Sequence, residues 1–192
     1  MSSAWSPELL VMLRPAAEYR QLVELSNGGR WWKRALRFSF LFGSVVSLAA
    51  SGRLTLRLVA AGTLYASLIP LVEIAVLATV LGRSRKVSLA RAADLFLMGH
   101  GAWCCWLLGF AGIWAFLAPI PAFEWTRAIW RWGVVAAVAA WSAYVDYCFF
   151  RCVAPSGPGW RLVVQRVACW TPAALIFGGG SLWPEILKVL GR

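Results

Sequence analysis

The stretch LVAAGTLYASLIPLVEIAVLATVL, residues 58–81, carries a single charged side chain, Glu73, in twenty-four residues. An α-helix needs about 20 predominantly apolar residues to cross the hydrocarbon core of a bilayer. The stretch therefore predicts a membrane-spanning helix with some tilt. Pro70 lies inside it and lacks a backbone N–H, so we expect a kink there.

Four further apolar stretches flank this one, at residues 35–51, 93–117, 132–150 and 162–177. Together they predict an all-α fold, a polytopic transmembrane helical bundle of about five spans over residues 35–192. The last stretch is the shortest and contains Gln165, Arg166 and Pro172. A four-span bundle with a re-entrant or surface-lying C-terminus is therefore the alternative.

The amino-acid composition also indicates that lipid surrounds much of the chain. Of 192 residues, 60% are hydrophobic and 14% are charged, whereas a soluble domain is nearer half apolar and a quarter charged. The net charge of +11 and the 13 tryptophans do not indicate nucleic-acid binding, because the basic residues occur in short runs between apolar stretches and the tryptophans often near their ends. That layout is typical of membrane loops and interfacial belts, so we predict the lipid bilayer as a partner and no nucleic acid.

The basic residues also predict an orientation. If the N-terminus is cytoplasmic, thirteen of the nineteen Lys and Arg residues lie on the inner side. The six outer ones are Arg53, Arg57, Arg127, Arg131, Lys188 and Arg192. This bias follows the positive-inside rule, so we expect a multi-pass protein of the cell inner (plasma) membrane with a cytoplasmic N-terminus.

Residues 1–34 are predicted to form an N-terminal cytoplasmic or interfacial amphipathic segment. Ser6, Pro7 and Glu8 are typical of a helix start, and Pro15 should divide the segment into two short helices. The second helix is expected to end at residues 27–29, Asn-Gly-Gly. The segment would lie on the membrane surface or dock a partner protein, or it would instead pack on the bundle as an ordinary cytoplasmic flap. Residues 183–190 are predicted to form a short interfacial helix.

Four polar side chains fall inside predicted spans: Glu73, His100, Asp146 and Arg166. From the inner ends of their spans, Glu73 lies roughly 12 Å deep and His100 roughly 10 Å, while Asp146 and Arg166 each lie roughly 6 Å deep. Charged groups in hydrocarbon are costly unless they are paired. The matched depths therefore predict two pairs, Glu73 with His100 and Asp146 with Arg166.

This candidate intramembrane polar cluster allows two functions. Glu73 and His100 could line a cytoplasm-facing cavity that binds a proton, an ion or a substrate, with Pro70 supplying the kink. Alternatively, the four groups are structural contacts that fix helix register.

Catalytic and metal chemistry is not indicated. Cys104 follows His100 by one helical turn, but no acid stands at a recognisable spacing for nucleophilic catalysis. The five cysteines form no CxxC pair, and a single histidine accompanies them, so we predict no metal site, no cofactor and no disulfide framework. The cysteines are Cys104, Cys105, Cys148, Cys152 and Cys169.

Small residues recur on the predicted fourth span at Ala136, Ala140 and Ala143, and again at residues 99–102. Such faces let helices approach closely. They could pack within one chain or between chains, so protein partners or a homo-oligomer are possible.

The N-terminal phrase LRPAAEYR, residues 13–20, followed by Leu22 and about five spans, resembles bacterial members of the Yip family. Those are five-span membrane proteins whose eukaryotic relatives interact with Rab GTPases and act in vesicle trafficking. The resemblance implies a non-catalytic membrane protein that acts through protein or lipid contacts. The alternative is a small secondary transporter or ion-conducting subunit that uses Glu73 and His100.

Overall fold

The computed structural model describes residues 6–25, 30–82, 85–117 and 124–171, with side chains except those at 49, 50, 110–117 and 124–132. Over these residues the chain is helical and contains no strand, which confirms the predicted all-α class for them. The helices are α1 (Pro7–Leu13), α2 (Pro15–Glu24), α3 (Trp31–Ser51), α4 (Leu56–Ala66), α5 (Leu68–Leu81), α6 (Leu89–Met98), α7 (Gly101–Leu117), α8 (Glu124–Val153) and α9 (158–171).

Helix α6 lies at the centre of the described bundle. All eight of its residues from Arg91 to Met98 are buried, and the helix contacts α3, α5 and α8. Phe96 packs edge-on against Phe149 with ring centroids 5.4 Å apart. Helix α6 is therefore buried on every side, although it contains an arginine and an aspartate.

The two N-terminal helices divide at Pro15, as predicted, and α1 begins with the expected cap, the Ser6 hydroxyl accepting a hydrogen bond from the Leu9 N–H at 3.3 Å. Both helices pack on the bundle, with Val11 and Tyr19 fully buried. The Tyr19 hydroxyl donates to the Leu95 carbonyl at 3.3 Å. The segment therefore packs on the bundle, and its position relative to a membrane stays a prediction. The predicted C-cap at 27–29 lies outside the described residues.

A network of charges joins this flap to α3 and α6. Arg34 forms ion pairs with Glu8 and with Asp94, the latter at 2.9 Å. Asp94 also pairs with Arg91 at 3.2 Å, and Arg91 donates to the Leu22 carbonyl at 2.8 Å. Helices α1, α2, α3 and α6 therefore contribute to one shared network, which was not predicted from the sequence.

The predicted third span, residues 93–117, is interrupted and does not form a single helix. The chain forms α6 and α7, separated at Gly99 and His100. The Gly99 and His100 N–H groups donate to Phe96 and Leu97, three residues back rather than four. Glycines at 99 and 101 lower the helix propensity of this stretch, and Ser88 caps α6 earlier than expected, accepting from the Arg91 N–H.

The predicted second span is also interrupted. Helix α4 ends at Ala66 and α5 begins at Leu68, with Ser67 as the turn between them. The break lies close to Pro70 because a proline removes the hydrogen bond to the carbonyl four residues back and clashes with it. That carbonyl belongs to Ala66, the residue at which α4 ends, so the interruption lies where Pro70 is expected to disturb the helix.

Helices α3 and α4 pack closely around two glycines. A methyl group placed on Gly43 would lie 2.5 Å from the Thr63 nitrogen, and one on Gly62 would lie 2.9 Å from the Gly43 Cα. Between the helices the chain turns at Gly52, whose φ of 67° favours glycine. This close approach was not among the predicted small-residue faces.

Within the described residues, two helical stretches are long and apolar enough to cross a membrane, Leu56–Leu81 and Gly133–Val153. Only 28% and 33% of their most apolar windows are buried inside the structure. Leu56 is 87% exposed and Leu64 is 75% exposed. Large contiguous apolar surfaces are unusual on soluble monomers, so these stretches are compatible with association with a membrane.

In the C-terminal half, the predicted fourth span lies within the described residues and the predicted fifth span only in part. Helix α8 begins at Glu124, eight residues before the predicted start of the fourth span. The predicted fifth span corresponds to α9 as far as residue 171. Residues 172–177 of that span and the predicted helix at 183–190 lie outside the described residues.

Candidate functional site

The four polar residues singled out in the sequence lie together in the structure. His100 Nε2 lies 2.8 Å from Glu73 Oε2, and Arg166 Nη2 lies 2.5 Å from Asp146 Oδ2. All four side chains are at most one-fifth exposed. The structure thus brings together both pairs that the matched depths indicated, although it does not test the role assigned to them.

Each of the four comes from a different part of the chain. Glu73 lies on α5, His100 lies in the break between α6 and α7, Asp146 lies on α8, and Arg166 lies on α9. The His100 ring is held by edge-on contacts with Phe38 and Phe96, at centroid distances of 5.2 and 5.7 Å. The break in the third span therefore coincides with the residue that reaches Glu73.

Three further polar side chains connect the two pairs to the surrounding helices. Ser142 accepts hydrogen bonds from Arg166 at 2.7 Å and from the Trp103 indole at 3.0 Å. Gln165 donates to the Glu73 backbone carbonyl at 3.2 Å. The result is a network that ties α9 to both α5 and α8.

The sequence analysis did not assign Ser142, Gln165 or Trp103 to this site. A signal for Ser142 was present, because it precedes Asp146 by four residues and so lies on the same face of a helix. Gln165 was noted only as a polar residue in a short span. No local signal indicates that its amide would reach a carbonyl on α5.

A cavity of about 290 Å³ lies against both ion pairs. Its polar lining comprises Glu73, His100, Ser142, Asp146, Gln165 and Arg166. Its aromatic lining comprises Phe38, Phe42, Tyr65, Phe96, Trp103, Trp106 and Trp170. Ligand sites are typically concave, mostly apolar and equipped with a few convergent polar groups, and this cavity has that construction.

Two buried polar atoms of the cavity-lining residues have no hydrogen-bond partner: Gln165 Oε1, an acceptor, and Arg166 Nε, a donor. Gln165 is 1% exposed. Buried polar groups are normally satisfied, and each exception calls for an explanation such as an unseen water or ligand. Both atoms have almost no solvent-accessible surface.

Of the cysteines near this cluster, Cys169 lines the cavity, and its Sγ accepts a hydrogen bond from Gln165 Nε2 at 3.3 Å. Cys104, the nucleophile candidate beside His100, is not among the residues that line the cavity. Among the described residues, no group of three His, Cys, Asp or Glu side chains is placed to hold a metal ion. The arrangement is suited to binding and to holding a proton between Glu73 and His100.

No protein family, curated protein or solved structure matches this chain. The resemblance to the Yip family therefore stays a prediction.

Proposed function

We propose that this protein is a polytopic inner-membrane protein of about five spans, with a cytoplasmic N-terminus, that works as a small secondary transporter or ion-conducting subunit through the cavity beside Glu73 and His100. The observation that carries the proposal is the cavity of about 290 Å³ that reaches both ion pairs. A purely structural pair would need no adjoining space.

The unfavourable free energy of placing ionisable side chains at membrane depth supports this proposal. Ionisable side chains at membrane depth are expensive, face the protein interior or a cavity, and commonly belong to substrate or proton pathways. Here Glu73, His100, Asp146 and Arg166 all face one cavity, and both pairs are partly exposed within it.

The helix breaks support it further. Transporters commonly bind substrate where transmembrane helices are interrupted, since irregular backbone at that depth is tolerated where it lines a cavity. Within the described residues, helices are interrupted at Ser67 and at residues 99–100. Glu73 follows the first within two turns, and His100 lies in the second.

A second candidate function is the one implied by the Yip resemblance, a non-catalytic membrane protein that acts through protein or lipid contacts. One observation favours it: each charged group of the cluster already has a partner within the chain. Ala136 and Ala140 of the predicted small-residue face are also exposed in the described part of the bundle, where another helix could approach.

Proton flux into liposomes separates the two candidates. The purified protein is reconstituted with an internal pH-sensitive dye, and a potassium diffusion potential, negative inside, is imposed with valinomycin. We expect proton entry through the native protein and at least a tenfold lower rate with Glu73→Gln, because the amide cannot carry the proton. Glu24→Gln, the same chemical change at an exposed position, should behave like the native protein.

An absence of protein-dependent flux in the native form would refute the transport proposal and leave the contact protein as the better candidate. Equal flux in the native and Glu73→Gln forms would also refute the role of Glu73. Size-exclusion chromatography of each variant in detergent shows whether it is folded and monodisperse.

A further inference from the structure

We infer that one end of the bundle binds the phosphate group of an anionic membrane lipid through Arg20, Lys86 and Arg151. These three exposed residues form a basic cluster. Such binding goes beyond the proposed function and shares with it only the placement of the chain in a membrane.

Two of the cations meet at the end of α8. This helix ends at Val153, whose carbonyl accepts a hydrogen bond from the Lys86 N–H at 2.9 Å. The bond ties the connection between α5 and α6 to the end of α8. Arg151 lies in the last turn of the same helix. Lys86 and Arg151 therefore extend from the same end of the bundle.

The third cation comes from α2, which packs against α8. Arg20 follows Tyr19, whose ring lies edge-on to that of Phe149 with centroids 5.7 Å apart. All three cations of the basic cluster lie close enough to Cys152 to act electrostatically on its thiol. Three segments that are far apart in the sequence thus bring three positive charges around one residue.

Among the described residues, no ion pair engages the basic cluster, whereas Arg34 and Arg91 are both paired with Asp94. The acid one helical turn from Arg20 is Glu24, and the C-terminus of α8 contributes about half a negative charge. Even with both counted, more than one positive charge remains. A phosphate group compensates such an excess, because Arg and Lys donate charge-assisted hydrogen bonds to its oxygens.

The apolar surface beside the basic cluster favours a lipid over a free phosphate ion. Trp160 is 53% exposed and lies at this end, because its neighbour Arg161 donates to the Val80 carbonyl, near the end of α5, at 2.8 Å. Further along α9, Val163 and Val167 are each 60% exposed. Exposed tryptophans are typical of the membrane interface, where basic residues attract anionic headgroups. Acyl chains could therefore lie on apolar surface while the phosphate meets the cations.

The proposed orientation places this end of the bundle at the cytoplasmic leaflet. That leaflet holds anionic lipids, which basic clusters beside a membrane span attract. Phosphatidylglycerol carries one negative charge on its phosphate and none elsewhere in its headgroup, so it matches the basic cluster. Phosphatidylcholine has the same phosphate but adds a quaternary ammonium group that the cations would repel.

Binding is tested with the purified full-length protein in mixed micelles of a neutral detergent. Energy transfer from the tryptophans to a pyrene-labelled acyl chain compares phosphatidylglycerol with phosphatidylcholine. We expect the anionic lipid to bind at least tenfold more tightly. Inorganic phosphate in excess, at matched ionic strength, should not displace it. Equal binding of the two lipids would overturn the inference, and displacement by inorganic phosphate would assign the cluster to a free anion instead of a lipid.

Two triple variants of equal net charge locate the binding. The first carries Arg20→Gln, Lys86→Gln and Arg151→Gln. The control carries Arg14→Gln, Arg37→Gln and Arg57→Gln, which change exposed cations outside the basic cluster. Binding of phosphatidylglycerol should weaken at least tenfold in the first variant and stay within twofold of the native value in the control. Equal weakening in both would mean that the overall charge attracts the lipid without a site, and would overturn the inference.

Single variants keep the test decisive if the first triple variant is not monodisperse. Each substitution in the basic cluster should weaken binding about fivefold, since one cation near an anionic membrane surface contributes about that factor. Unaltered affinity in all three single variants would overturn the inference. Proton flux that depends on Glu73 would leave the transport proposal standing in either case, because Glu73 does not belong to the basic cluster.

Discussion

At the scale of single residues, the Asp146–Arg166 pair shows how a charge is tolerated in this bundle. The two side chains are 8% and 20% exposed, and Arg166 is held in addition by Ser142. Removing one member of a buried pair leaves an uncompensated charge, whereas replacing both with apolar groups is far less damaging. The pair is therefore expected to act as a unit.

Arg166→Leu should lower the free energy of unfolding by about 3–5 kcal/mol, because Asp146 would lose its partner. The double variant Asp146→Leu with Arg166→Leu should be less destabilised than the single one. Unfolding in detergent micelles by titration with a denaturing detergent measures both. Arg57→Leu, at an exposed position of α4, is the control. A double variant no more stable than Arg166→Leu would contradict the pairing.

Tyr19 gives a prediction that depends on pH. Its full burial raises the pKa of the hydroxyl well above the ordinary value, so the folded protein keeps the proton that donates to Leu95. The unfolded chain releases it near pH 10, and stability from this group is therefore present below about pH 10 and lost above it.

Tyr19→Phe should lower the free energy of unfolding at pH 7 by about 1 kcal/mol, because the Leu95 carbonyl loses its donor. Between pH 9 and pH 11 the native protein should lose more stability than the variant does. Thermal unfolding in detergent across that range measures both effects. Tyr147→Phe, which changes an exposed tyrosine, should show neither, and parallel pH profiles for native and Tyr19→Phe would refute the role of Tyr19.

At the scale of helices, the contact between α3 and α4 depends on the absence of two side chains. A methyl group on Gly43 would meet the backbone of Thr63 and the carbonyl of Val59, which cannot move aside as a flexible side chain could. Close backbone approach through small residues is a common basis of helix association in membranes. A larger side chain at Gly43 should therefore not fit where α3 and α4 cross.

Gly43→Ala should destabilise the protein by about 1–3 kcal/mol, since it overpacks the crossing. Gly133→Ala changes a helical glycine with open space around it, and it should be neutral or stabilising by up to about 1 kcal/mol because alanine favours the helix. Denaturing-detergent titration of the two variants compares them directly. Equal stability would mean that the α3–α4 contact is looser than described.

At the scale of the whole molecule, the orientation stays a prediction from the distribution of basic residues. Leu54 lies in the loop between α3 and α4, and Arg85 lies between α5 and α6; both are exposed. With a cytoplasmic N-terminus, the first loop is outside and the second is inside. The two positions should therefore differ in their access to reagents that do not cross a membrane.

Leu54→Cys in whole cells should react with a membrane-impermeant maleimide, and Arg85→Cys should react only after the membrane is opened. The parent protein, which retains its five cysteines, sets the background for both. The reverse pattern would invert the proposed topology. Equal labelling of both positions in intact cells would contradict a membrane crossing between them.

Several features of the fold could be predicted because they depend on neighbouring residues. The Ser6 cap, the division at Pro15 and the interruption near Pro70 follow from local hydrogen bonding and steric clashes. That Glu73 and His100 lie at a similar level follows from the fixed rise of a helix. The positions of these residues along the sequence were therefore enough to predict which polar side chains lie at the same level of the bundle.

The tertiary structure decided everything that depends on which helix faces meet. The sequence alone determined apolar helical stretches and the levels of their charges, since both are properties of short segments. The Arg34 and Asp94 network and the place of Gln165 in the cavity join residues more than fifty positions apart, and no local pattern encodes the rotation of one helix against another.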